Sequence, residues 1–146
     1  MAYDVLLIVH VVTSTMWVGG VFMASLIDWP AMKSTLDGKK FPFSFVVSHG
    51  RQTFFWVYFA FFGLLVSGVG MILSRPLADE QLVFLVPKII ALAIMGGFTL
   101  YGTFITWPKL QLAVDKDAFS IYQVYIYRAQ IIFVLGLVSI VMGLRL

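Results

Sequence analysis

The sequence predicts an all-α integral membrane protein, a single four-helix bundle built from two parallel helical hairpins. Three observations predict it. Of 146 residues, 61% are hydrophobic and only 12% are charged, against about 25% charged in an ordinary soluble domain. Four apolar stretches recur along the chain, each near the ~20 residues that cross ~30 Å of hydrocarbon. Prolines, glycines and charges separate them. A lipid-embedded backbone must satisfy its own hydrogen bonds, so each stretch reads as a helix.

The first helix covers about 5–27. Its first charge is Asp4, and no Lys or Arg precedes Lys33. It therefore lacks the positive start of a cleaved signal peptide and reads as a permanent helix. The segment 28–50 holds Pro30, Lys33, Asp37, Gly38, Lys39, Lys40 and Pro42 and reads as a loop. A second helix follows over about 53–73. Arg75, Pro76, Asp79 and Glu80 mark a short turn. The third helix runs over about 82–105, with Pro87 in its first turn, where proline is tolerated. Pro108, Lys109, Asp115, Lys116 and Asp117 mark another loop before the fourth helix, about 121–144. Short links make neighbouring helices antiparallel. Trp29, Trp107, Tyr122, Tyr125 and Tyr127 fall near the predicted ends, where aromatic rings settle at membrane interfaces.

Basic residues set the direction. Lys33, Lys39, Lys40, Arg51, Lys109, Lys116 and Arg128 lie on one side, and only Arg75 and Arg145 on the other. The positive-inside rule puts 28–52 and 106–120 in the cytoplasm and both termini outside, as in a bacterial-type inner membrane protein. The basic residues form no run, so nucleic-acid binding is excluded. With no cysteine, disulfides, thiolate metal sites and cysteine catalysis are excluded too. No paired intramembrane carboxylates, phosphate-cradling loop or nucleophile elbow is present.

The first and third helices repeat each other at an offset of 78. Val9-His10 falls on Pro87-Lys88, Gly19 on Gly97, Ile27 on Ile105, and Trp29-Pro30 on Trp107-Pro108. The second and fourth match more loosely, Leu65-Val66-Ser67 against Leu137-Val138-Ser139. A hairpin used twice in one orientation implies a pseudo-two-fold axis along the membrane normal. Gly19-Gly20 and Gly96-Gly97 read as close-packing points between helices.

Polar groups within the membrane invite a functional reading. His10 lies about 8 Å below the outer edge at 1.5 Å per residue. Its helix face carries Thr13, Ser14, Trp17, Gly20 and Ala24. The imidazole is either a haem or metal ligand or a histidine hydrogen-bonded within the bundle. Lys88, at the equivalent position, either snorkels outward or turns inward to pair with an anion. His49 begins the second helix on the inner side, about 25 Å from His10 along the first. The two histidines therefore cannot clamp one haem within one chain. The methionines make no Met-x-Met or Met-x-x-Met pair and read as core fillers.

The run "VHVVTSTMWVGGVFMASLIDWPAM", with His10, Trp17, Gly19-Gly20 and Pro30, resembles the opening helix of CopD-like membrane proteins. "PKIIALAIMGGFTLYGTFITWPKL" continues the resemblance, and its Lys88 matches that family's third-helix lysine. Val9 departs from the leucine usual before the histidine, and Pro30 stands further from the glycines than in the HemJ-type branch. The resemblance implies a haem b or porphyrin between the first and third helices, held by His10 and Lys88 with Trp17 and Ser14 beside them. The HemJ-type branch implies oxidoreductase activity. The CopD branch implies copper handling, with His10 as the metal ligand.

Three functions stay open. The first is a haem b-binding or redox protein, alone or as a subunit of a larger electron-transfer complex. The second is a cofactor-free accessory subunit of a membrane assembly. The third is a copper-handling transport protein. Expected partners are the lipid bilayer and other membrane subunits or further copies of the chain. Phe54, Phe55, Phe59, Phe61 and Phe62 on the second helix leave apolar surface for either.

Overall fold

Four long helices make up the protein. The computed structural model describes residues 2–36, 40–74 and 79–144. The predicted turn residues Arg75 and Pro76, the loop residues Asp37, Gly38 and Lys39, and Arg145 lie outside the described residues. Helix α1 is Ala2–Leu36 and α2 is Phe43–Ser74. Helix α3 opens as Asp79–Tyr101 and runs on through Gly102–Thr106 and Trp107–Gln111. Helix α4 is Asp115–Gly143. Among the described residues there is no strand. Each helix is long and apolar enough to cross a membrane, with windows of mean hydropathy between 1.9 and 2.1. The chain is a multi-pass membrane protein.

The helices outrun their predicted bounds, mostly at the end away from the termini. Much of the segment 28–50 is helix rather than loop: α1 continues past Pro30 to Leu36, and α2 already begins at Phe43. His49 therefore sits inside α2 rather than at its start, and Pro87 sits inside α3 rather than in its first turn.

Two π-helical turns, Met23–Asp28 and Gly102–Thr106, explain how α1 and α3 pass their prolines. A proline ring strikes the carbonyl four residues back and offers that carbonyl no N–H. Widening the turn moves this carbonyl aside. Trp29 N–H then bonds Ala24 O, and Trp107 N–H bonds Gly102 O. These bonds coincide at the offset of 78, so the duplicated sequence folds into duplicated backbone geometry.

Helix α1 packs most closely on α2 and also on α4, while α4 packs on α3. Helices α2 and α3 meet through long side chains: Phe61 lies against Gly96, Tyr58 bonds Thr103, and Trp107 lies against Gly50 and Phe54. Lipid tails are as apolar as leucine, so close van der Waals contact holds such a bundle together. The α1–α2 seam shows how. Gly63, Ser67–Gly68 and Gly70 line one face of α2 and receive Thr13, His10 and Leu6. Gly19, Gly20 and Gly97 are not packing points within the chain, because a methyl group added at any of them meets nothing within 4 Å.

The core has two parts. Trp17, Val21, Val57, Ala60, Leu64, Met95 and Ile132 fill the middle. Trp29, Phe41, Val46, Leu110, Ala118, Tyr122 and Ile126 close the end away from the termini. Trp29, only 4% exposed, and Tyr122 thus face inward rather than toward headgroups. Their rings meet edge to face at 4.7 Å, and Trp29 Nε1 donates to Gln123 Oε1 at 3.3 Å. The outer surface of the bundle is apolar, with Phe55, Phe59, Phe62, Val66 and Val83 exposed to lipid. Sealed in the middle and at the end away from the termini, the bundle stays open at the other.

Candidate functional site

A cavity of about 440 Å³ occupies that open end, bounded by all four helices. Its size falls within the ~300–1,000 Å³ common for small-molecule and cofactor pockets. His10, Ser14, Trp17 and Lys88, the four residues singled out from sequence, all line it. Most of the remaining wall is apolar, including Leu7, Val11, Leu85 and Leu92.

His10 is oriented by a residue on the neighbouring helix. Its Nδ1 lies 3.0 Å from Ser67 Oγ, and its Cε1 faces Gly68, where a Cβ would stand 3.4 Å away. Ser67 is fully buried, and its hydroxyl donates to Gly63 O at 2.5 Å. A hydroxyl has one proton. Because Ser67 gives its proton to the carbonyl, it accepts from His10, so Nδ1 carries the imidazole hydrogen. Nε2 is left with a free lone pair. A second group that fixes the tautomer in this way is the usual support of a metal-ligating histidine.

Ser14 contributes less than its position suggests. Its hydroxyl donates to His10 O at 2.7 Å, a bond to the preceding turn of its own helix. Trp17 is 1% exposed, and among the described residues its Nε1 has no hydrogen-bond partner. A buried donor left unpaired costs about 1–3 kcal/mol.

Lys88 turns toward the bundle. Its Nζ lies over α4, 3.1 Å from where a Cβ on Gly143 would stand. Among the described residues it forms no ion pair or hydrogen bond. The second-to-fourth helix repeat maps Gly68, beside His10, onto Ile140. The Lys88 tip, at Gly143, therefore reaches about 4.5 Å further outward than the imidazole at 1.5 Å per residue. The imidazole lies deeper and the cation nearer the mouth.

His49 is far from this site. Its Nε2 lies 3.5 Å from Asp28 Oδ2 and its ring stacks on Phe45. Asp28 is about 27 Å along α1 from His10. Arg128 is likewise engaged elsewhere, donating to Thr106 Oγ1 at 3.3 Å and covering the Tyr101 ring at 4.5 Å. Among the described residues no three His, Cys, Asp or Glu side chains gather as a metal site.

Sequence reasoning missed Ser67, Met71, Met95, Ser139 and Gly143, all of which either line the cavity or contact a residue that does. The loose alignment of Ser67 with Ser139 was the available signal. No family model, curated protein or solved structure matches the chain.

Proposed function

We propose that this protein binds haem b, or a closely related metalloporphyrin, at the open end of the bundle and serves electron transfer in the membrane. The observation that carries the reading is His10, whose Nδ1 is engaged by Ser67 and whose Nε2 is left free in a wall of the cavity. The residues fit the group. A neutral imidazole nitrogen is a haem ligand, the apolar walls suit a macrocycle, and Lys88 toward the mouth suits a propionate carboxylate. Bound haem would supply one-electron chemistry at its iron. The chain itself would orient the ligand through Ser67, exclude water through Leu85, Leu92 and Met95, and hold an anion at Lys88 Nζ. With His49 near the far end of α1, this chain supplies one histidine to the site, and a partner chain is the source of any second.

The same reading places the cavity outside and the Lys33, Lys40, Arg51, Lys109 and Lys116 end in the cytoplasm of a bacterial-type inner membrane, with both termini outside. These five residues are exposed. Partner subunits or further copies would cover part of the exposed apolar surface.

One observation favours a second reading. Met71 and Met95 line the cavity with His10. Thioether and imidazole together suit Cu(I), so copper handling is the alternative occupant. The absorption spectrum of gently purified protein tests the proposal. A Soret band, native or after adding haemin, is expected. A protein that is colourless, refuses haemin and retains copper by mass spectrometry supports the alternative. One that takes up neither leaves the accessory-subunit reading.

A further inference from the structure

We propose that Ser139 is a ligand-binding residue, its hydroxyl acting with the Lys88 ammonium to hold the carboxylate of the cavity's amphiphilic ligand. The assignment rests on the haem reading of the cavity and adds a residue that neither the motifs nor the repeat had given a role. Within the membrane-spanning helices, Ser14, Ser25, Ser67, Thr13 and Thr99 each donate to a carbonyl one turn back. Ser139 does not. Among the described residues its hydroxyl forms no hydrogen bond, although it stands in an apolar helix and lines the cavity.

Its position follows from the duplicated fold. Ser67 on α2 serves the His10 wall, and Ser139 is its counterpart on α4, facing the Lys88 wall. Gly143, over which the Lys88 nitrogen lies, is four residues beyond Ser139. On a helix that places the two on one face, about 6 Å apart along the axis. A carboxylate presents two acceptor oxygens, and charge-assisted bonds of about 2.5–2.9 Å to each donor bridge that interval. Gly143 leaves room for the ammonium, which would have to shift slightly for a Cβ there. The ligand's chemical class is thus a flat apolar body carrying at least one carboxylate directed toward α4.

Titration of the full-length protein with haemin and with haemin dimethyl ester, whose carboxylates are masked, tests this. Wild type should bind haemin more tightly than the ester. Ser139→Ala should weaken haemin about tenfold, the effect of losing a hydrogen bond to a charged group. It should leave the ester affinity and the Soret maximum unchanged, because His10 still holds the iron. Ser139→Thr, which keeps the hydroxyl, should restore haemin binding. If Ser139→Ala binds haemin as wild type does, or weakens both ligands equally, the assignment is overturned while the haem reading stands. If wild type takes up neither ligand, both are overturned.

Discussion

Ser67→Ala removes the group that orients His10, and its effect can be worked from the geometry. The hydroxyl bonds Nδ1 at 3.0 Å and is itself anchored to Gly63 O at 2.5 Å. Without it, the half-buried imidazole keeps only its contact with the Leu64 carbonyl, and the lost hydrogen bond costs about 0.5–1.5 kcal/mol. The ring then either rotates to find another acceptor or changes tautomer. Both remove Nε2 from its ligating role. Loss of a second group supporting a metal-bound histidine lowers affinity about 10- to 100-fold, equivalent to about 1.4–2.8 kcal/mol. The assay is haemin titration followed at the Soret band, with stability measured in parallel by unfolding in mixed detergent micelles. A weakening in that range, with the fold retained, is expected. Affinity within twofold of wild type would refute the orientation argument even if haem binds.

Four further outcomes follow from the same structure. Gly63→Ala places a methyl group against the Thr13 side chain and should destabilise the bundle by about 1–3 kcal/mol through overpacking. Gly19→Ala and Gly97→Ala, which meet nothing within 4 Å, should be tolerated within about 0.5 kcal/mol; denaturation in dodecyl sulfate compares all three. Lys88→Met should weaken haemin binding while sparing the dimethyl ester, checked by paired titrations. Asp28→Asn disrupts the pair with His49, but both side chains are about a third exposed. It should cost under about 1 kcal/mol and leave haemin affinity unchanged, read by the same unfolding and titration assays.

The number of helices was legible because lipid imposes a length and a composition on each span. Helix ends were not, and the reason is local. Pro30 and Pro108 look like stops, yet a π-turn before each lets the helix continue. The sequence carries no separate mark of that turn beyond the repeated Trp-Pro. His10 and Lys88 were legible as polar positions at one register of a repeat, and Trp17 as a residue on the His10 face. Their separate tasks were not, because a tautomer depends on a hydroxyl 57 residues away. The paired glycines misled for a related reason. Small residues permit close approach but do not require it. Which glycines pack tightly shows only in the folded bundle, where Gly63 meets Thr13, Gly70 meets Leu6, Gly102 meets Tyr125 and Gly136 meets Val18. Trp29 and Tyr122 misled as well, since an aromatic ring at a span end serves a headgroup layer or a core equally, and here the ends of four helices converge on them.

The measurement closest to the central claim is pulsed electron paramagnetic resonance on haemin-loaded protein carrying ¹⁵N-labelled histidine. With His10 as ligand, the ferric signal should show coupling to a labelled imidazole nitrogen. That coupling should vanish in His10→Ala and persist in His49→Ala. A coupling that survives His10→Ala, or one lost only in His49→Ala, would contradict the assignment of the cavity's ligand.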